Sequence, residues 1–538
     1  MRNINRVKEI KVWKTSPFLR LLLPLIAGIV VEKYLPLGSI FLIPVFCLSV
    51  LLIVLCNFFS FPGFFGLDWM AGVAIQFAIF SFGRMVMYVH QDKTLEESSC
   101  FSKNRSNLLL LRLLSDPVPR QKSWKAVAKI TGLYKDQRCF FENEKVLVYF
   151  NKNLDAGQVS GGSLIVTKKE LSPIQNIKGL EFDYIGYCHL RHIYGQLYLK
   201  ENDFEVIIGE KERTVFSVLD DFRRRMLIIL KNQIPSKSEN GFLEALLFGY
   251  TEDLDPALMK SYADTGVVHI IAISGLHLAL ICQLLQVGFM RLGRRKYAKW
   301  LKFILMVAIL WAYSLLSGAS PSVIRAATMF SLALFAKNVL RQTNLYNTLA
   351  TSAFVLICID PGWLWDTGFQ LSYAAVLGLV LFANRIQGLI SVRNKILKAI
   401  WKATSVSIAA QVLTTPLSIY YFHQFPVYFL FANLLAVPLS SGILAGGILL
   451  CIFSPFRLLA NFLGWSLGLG VQVLNWTIHY FSKLPGSVIS HLILSLPQLF
   501  SIYFIFYCVY RFLDSKQNSW FLAGLSGVVV FQFFGFLR

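Results

Sequence analysis

The sequence predicts a polytopic α-helical membrane protein of about thirteen spans with a small β-rich insert. Composition comes first: 55% of the 538 residues are apolar and only 15% are charged, with a mean hydropathy of +0.56. Soluble domains carry about 25% charged residues. The second observation is length. Apolar runs of about 20 residues recur, enough at 1.5 Å per residue to cross a ~30 Å hydrocarbon core. The third is a single long polar interruption, from His90 to Arg213, rich in strand signals.

The N-terminal stretch Met1–Lys14 is basic and polar, and no small-residue cleavage site follows it, so the first apolar run reads as a retained span. Spans are expected near 17–35, 38–56 and 67–89. The insert over 90–213 carries short runs at Lys125–Tyr134, Glu144–Asn151, Gly162–Lys168, Gly186–Leu199 and Asp203–Ile208, separated by Asn/Asp/Gly clusters. That pattern predicts a small barrel, of which the OB-fold is one architecture. Residues 214–266 turn amphipathic. Val218, Phe222, Met226 and Ile229 share one side, opposite Asp220, Asp221, Arg223, Arg224 and Arg225, as in a helix lying at an interface. The three arginines are candidate contacts for phosphates of lipid or DNA.

From 267 to 538 ten more apolar runs follow, near 267–290, 303–317, 322–336, 345–359, 368–384, 403–422, 427–453, 458–482, 490–512 and 519–536. With the N-terminus inside, the 90–213 insert falls on the extracytoplasmic side. The basic loops 291–302, 337–341, 385–402 and 511–516 then fall inside, as the positive-inside bias requires. The net charge of +22 divides into +5 over 1–89, +3 over 90–213 and +14 over 214–538. Loop topology accounts for most of that excess, so charge alone does not identify a nucleic-acid ligand.

Nine cysteines show no CxxC or zinc-like spacing. Six sit in apolar runs as small hydrophobes, whereas Cys100, Cys139 and Cys188 lie in the insert. Cys139 and Cys188, each in or beside an expected strand, form the candidate disulfide.

Polar groups inside apolar runs are informative because an unpaired one costs several kcal/mol. His269, Ser274, Gly275 and His277 form the densest set. On one helix the two histidines, eight residues apart, face the same side, as a polar seam or as interhelical hydrogen bonds. Gly275 would admit another backbone closely. Arg325, four residues past Pro321, either snorkels or pairs inside the bundle. Asp366 is placed as an N-cap ahead of Gln370 and Ser372. Gln411 and Asn433 precede Pro416 and Pro438, where helix breaks are expected at membrane depth. Enzyme chemistry has little support: HExxH, G-x-S-x-G and phosphate-loop patterns are all missing. No catalytic residue, metal site or cofactor is expected.

Taken together, these motifs resemble the ComEC family of competence proteins. His269–His277 is similar to its H-x-x-x-x-S-G-x-H signature, and Pro321–Ala326 to its P-x-x-x-R-A motif. Asp360-Pro361 through Gly368–Ala374 resembles D-P…G-F-Q-L-S-x-A. Gln411–Pro416 and Asn433–Pro438 resemble the later Q-x-x-T-x-P and N-x-x-x-x-P elements, and Glu181–Tyr184 the end of the OB-like domain. The resemblance covers about 17–480. It implies an inner-membrane channel for incoming single-stranded DNA in a bacterium, with a DNA receptor, a cytoplasmic ATPase and a second copy of the chain as candidate partners. Longer members carry a metallo-β-lactamase-like domain. No HxHxDH run occurs here, so the expectation is a short form without that nuclease activity. The rival readings are a secondary transporter for a small anion and an intramembrane hydrolase built on Ser274 and His277.

Overall fold

The computed structural model describes residues 15–36, 44, 46–48, 50–51, 54, 68–98, 108–114, 117–119, 123–135, 138–140, 144–152, 159, 161–176, 184–189, 191–207, 215–251, 253–291, 296–339 and 344–536. Most of the expected 38–56 span and residues 181–183 of the Glu181–Tyr184 motif lie outside them. The chain divides into two units. One comprises Pro24–Phe222 with Ile357–Trp363; the other comprises Met1–Leu23, Arg223–Leu356 and Leu364–Arg538.

In the first unit, helices α1 (Pro17–Tyr34, from Pro24 on) and α2 (Asp68–Ser98) precede a sheet. The helices meet through glycine. A Cβ on Gly28 would strike the Phe80 carbonyl, and one on Gly83 the Leu25 carbonyl, so backbone approaches backbone at the small residues. Beside this crossing Arg84 Nε donates to Glu32 Oε2 at 2.8 Å, with both side chains nearly out of solvent.

Among the described residues nine strands follow: β1 (Leu108–Leu113), β2 (Val118–Pro119), β3 (Ser123–Lys135), β4 (Arg138–Phe140), β5 (Lys145–Asn151), β6 (Leu164–Thr167), β7 (Ser172–Pro173), β8 (Ile193–Leu199) and β9 (Phe204–Ile207). Their order is β7-β8-β5-β3-β1-β6-β9, with β2 and β4 also on β3, and β5–β8 is the parallel pair. Alternation builds the core. Leu109, Leu111 and Leu113 point inward with Ala126, Ala128, Ile130, Val146, Val148 and Phe150.

Three expectations change here. β1 was not expected, because its four successive leucines show no polar alternation. The expected strand Gly186–Leu199 begins as helix α3 (Tyr184–His189), turns at His192 with φ +58°, and only then extends as β8. The third is the Cys139–Cys188 disulfide, since Cys188 is a free, buried thiol. It packs on Leu147, which pairs with Val127 of β3, whereas Cys139 pairs with Tyr134 of the same strand. Seven residues of strand separate these positions, roughly 23 Å at 3.3 Å each. A disulfide needs Cα atoms within about 7 Å.

The second unit is helical. Its elements are α4 (Val215–Gln233, from Arg223 on), α5 (Lys237–Phe248), α6 (Pro256–Asp264), α7 (Val268–Ile271), α8 (Gly275–Gly288), α9 (Lys296–Leu316), α10 (Pro321–Val339), α11 (Leu345–Ile359), α12 (Thr367–Gln387), α13 (Lys395–Phe422), α14 (Phe429–Phe453), α15 (Arg457–Lys483), α16 (Leu496–Ser515) and α17 (Asn518–Phe536). A two-stranded ladder, β10 (Phe425–Pro426) and β11 (Val488–Ile489), joins two of the connections. Its largest core gathers α5–α7, α14 and α15 around Phe242, Leu246, Tyr262, Leu444 and Val471. In α4 the buried side is Leu230 and Ile234, with Met226 and Leu227 packed against it, while Val218 and Phe222 are exposed. Of the expected apolar stripe, Met226 packs on this core, whereas Val218 and Phe222 are exposed.

Among the described residues eight helices are long and apolar enough to cross a membrane, and each coincides with one of the expected spans. Of the rest, 345–359 forms a shorter apolar helix and 267–290 is not one helix at all. The chain is thus a mostly helical, polytopic membrane protein.

Candidate functional site

The broken segment near residue 272 starts the site. Helix α7 ends at Ile271, Ala272 and Ser274 are extended, and α8 begins at Gly275. The expected alignment of His269 with His277 on one helix is lost, because residues 272–274 interrupt the 3.6-residue repeat. Instead His277 occupies the third position of α8, where its Nδ1 accepts the Ser274 backbone N–H at 3.1 Å. That bond leaves the imidazole proton on Nε2 and occupies the nitrogen nearest the serine. No hydrogen bond joins Ser274 Oγ to this imidazole, so the two are not arranged as a nucleophile–base pair.

Helix α10 fastens this break. Ser322 Oγ donates to the Ile273 carbonyl at 2.8 Å, and Ser320 Oγ lies 3.2 Å from Ser322 Oγ. A Cβ on Gly275 would sit 3.7 Å from Ala326 Cβ, an ordinary contact, so no close backbone approach explains this glycine. One turn into α10, Arg325 is 3% exposed. Its Nη1 reaches Asp366 Oδ1 at 3.4 Å, while Nε has no partner. Asp366 also caps α12, taking the Phe369 N–H at 2.6 Å. Gly368 lies beside the guanidinium, where a Cβ would come within 3.5 Å of Nη2.

A hydroxyl and amide network continues from there. Gln370 Nε2 donates to the Leu364 carbonyl at 2.9 Å, and its Oε1 accepts Tyr421 Oη–H of α13 at 2.8 Å. Ser352 Oγ donates to Leu349, so the 3.0 Å contact with Tyr373 is a bond donated by the tyrosine. Ser372 is half-buried on the same helix.

Other expected members lie apart from this network. Gln411 Oε1 accepts hydroxyls of Thr415 and Thr414 at 2.9 and 3.2 Å, within its own helix. Asn433 is buried with Oδ1 unpartnered, between Ala432 and Ala436 of the α5–α7 core. Arg223 is half-buried, within 3.9 Å of where a Gly318 Cβ would stand, whereas Arg224 and Arg225 are exposed. The expected breaks at Pro416 and Pro438 do not occur: α13 and α14 run through both. Near them, Tyr503 Oη–H bonds the Leu413 carbonyl at 2.7 Å, and Ser441 Oγ bonds the Val437 carbonyl of its own helix at 2.7 Å. Pro321 does stand at a boundary, as the first residue of α10.

The first unit holds its own polar cluster at the D-P motif. Asp360 faces two imidazoles, Nε2 of His192 at 3.4 Å and of His90 at 3.7 Å, and accepts the Gly362 N–H at 2.8 Å. Burial opposes its charge, but His192, His90 and that N–H hold the carboxyl below its ordinary range. Reading the sequence missed both histidines and the Glu32–Arg84 pair. The second was detectable, since each member lies in an expected span.

The profile described as "Competence protein" matches residues 246–516, half of the chain, and includes the α7–α8 break, Arg325, Asp366 and Gln370. The chain belongs to the ComEC-type competence protein family. ComE operon protein 3 of Bacillus subtilis is 30% identical over 290 residues, 53% of this chain and 35% of that protein. Recombination protein 2 of Haemophilus influenzae is 29% identical over 250 residues, 44% of this chain and 31% of its own length. An uncharacterized Escherichia coli protein, YcaI, is 26% identical over 224 residues, 40% of this chain and 29% of that protein. The chain thus spans about a third of the length of the curated relatives it matches. No solved structure matches it. All five motifs of the family resemblance except Asp360–Trp363 lie in the helical unit.

Proposed function

We propose that this chain is the cytoplasmic-membrane channel through which single-stranded DNA enters a competent bacterium. The observation that carries the reading is Arg325: a guanidinium 3% exposed, with one 3.4 Å carboxylate contact and an unpartnered Nε, inside the family segment. A buried cation so lightly compensated favours an anionic cargo, and a strand of phosphates supplies one. The adjoining break at 272–274 supports it, since non-helical backbone at membrane depth is tolerated where it is buried or lines a wet cavity. In this reading His269, Ser274, His277, Arg325, Gln370 and Asn433 converge on one polar pathway. The strands of 108–207 form an OB-like extracytoplasmic domain, and the N-terminus is cytoplasmic. Arg223–Arg225 meet lipid or DNA phosphates. Candidate partners are a DNA receptor, a cytoplasmic ATPase and a second copy of the chain.

The test is uptake of labelled DNA by a deletion strain complemented with the wild-type chain, Arg325→Ala or His277→Ala. Both variants are expected to insert normally and to lose at least tenfold in internalised DNA. Wild-type uptake by inserted variants removes DNA as the cargo. The same buried arginine then favours the second reading, a transporter of a small anion.

A further inference from the structure

Away from that pathway, α5 carries a buried carboxyl that nothing above uses. Glu244 is 0% exposed. Its Oε1 accepts Asn240 Nδ2–H at 2.8 Å, one helical turn earlier, and Lys231 Nζ of α4 stands 3.8 Å away. Its Oε2 is buried with no donor. The Asp253 carboxyl, in the turn after α5, takes the same Lys231 Nζ at 2.9 Å, so one ammonium stands beside both carboxyls. Gly241 makes this approach possible, because a Cβ there would strike the Asp253 carbonyl. Two carboxylates facing each other cannot hydrogen-bond unless one of them holds a proton.

We propose that Glu244 and Asp253 form a proton-binding site that holds one exchangeable proton between their carboxyls. Charge supports this count. With both carboxyls ionised, the cluster of Lys231, Glu244 and Asp253 has a net charge of −1 around a buried, unsatisfied oxygen. One proton makes it neutral and supplies the missing donor. Binding forms an O–H bond on Glu244 at the cost of one proton from water, and release returns it. Exchange has a route, since Lys231 and Asp253 are 53% and 31% exposed.

Electrostatics sets the range. Burial pushes the Glu244 carboxyl up to about 7, Lys231 and Asn240 act against that, and Asp253 adds to it. Helices α7, α14 and α15 also pack on α5, and none of their ionisable groups (His269, Cys451, Arg457, His479, Tyr480, Lys483) contributes to its environment. Because the folded value lies above the ordinary 4.5, the protonated form stabilises the fold. That contribution is complete below 4.5 and is lost as pH rises through about 7.

The test is a pH titration of the full chain in lipid nanodiscs, following the infrared carbonyl stretch of protonated carboxyls. The wild type is expected to lose one such band with a midpoint near pH 7, and Glu244→Gln to lack it. Asp253→Asn should move the midpoint down and Lys231→Met should move it up. These opposite shifts decide the matter even if Glu244→Gln fails to insert. A band that persists in Glu244→Gln, partner variants without opposite shifts, or a midpoint that follows sodium concentration overturns the proposal. None of these readouts involves DNA, so they stand apart from the uptake experiment.

Discussion

Arg84 Nε and Nη2 both reach Glu32 Oε2, at 2.8 and 2.7 Å, and Nη2 also bonds the Leu35 carbonyl at 3.2 Å. Removing one partner of such a pair strands a buried charge, at about 3–5 kcal/mol, whereas replacing both by apolar residues is often neutral. Arg84→Leu should therefore lower thermal stability in detergent sharply, and Glu32→Leu combined with Arg84→Leu should recover most of it. Equal losses in both would show that the pair acts through packing alone. Asp366 allows a finer separation, because it both caps α12 and faces Arg325. Asn caps as well as Asp, so Asp366→Ala should cost about 1 kcal/mol more than Asp366→Asn, read by denaturant titration. Asp360 offers a pH test. Its carboxyl is held below the ordinary 3.8, so its contribution is present above 3.8 and lost as pH falls through the folded value. The stability gap between wild type and Asp360→Asn should be present above pH 3.8 and close in stronger acid.

Helix packing depends on where side chains are small. A methyl group on Gly28 would collide with the Phe80 carbonyl, whereas one on Gly72 of α2 meets nothing within 4 Å. Gly28→Ala should destabilise by about 1–3 kcal/mol through overpacking. Gly72→Ala should be neutral or gain up to about 1 kcal/mol from helix propensity. Melting temperatures of the two variants, compared in one detergent, check the contrast. A similar approach joins α12 to α13, where a Cβ on Gly378 would meet the Ala409 carbonyl. Apolar periodicity identified these helices, but not their ends or interruptions. Residues 267–290 are apolar enough for one span yet break at Ala272–Ser274, and α10 holds the break open by bonding the Ile273 carbonyl. Pro416 and Pro438 have the sequence signature of breaks, yet α13 and α14 run through both. A proline is visible in the sequence. Whether the helix continues through it depends on surroundings that tertiary packing supplies.

At the scale of the molecule, loop charge yields a definite expectation of sidedness. With basic loops inside, Lys152 in the insert should react with an impermeant thiol reagent from outside when changed to cysteine, and Arg393 only after permeabilisation. Labelling of Lys152→Cys from the cytoplasmic side alone would reverse the topology. By itself the sequence determined the solvent and the local periods. High apolar content with few charges points to a bilayer, short β-rich runs between Asn/Asp/Gly clusters marked β3, β5 and β9, and five ordered motifs pointed to the family. These are properties of neighbouring residues, and so they survive in a one-dimensional reading. Pairing does not. Arg325 meets Asp366 across 41 residues, Gln370 meets Tyr421 across 51, and Glu244 faces Asp253 only because Gly241 lets a turn settle on its helix. A period tells which face of a helix is turned inward but carries no information about which other helix that face meets. That choice rests on close packing among many surfaces at once, and only the tertiary structure makes it.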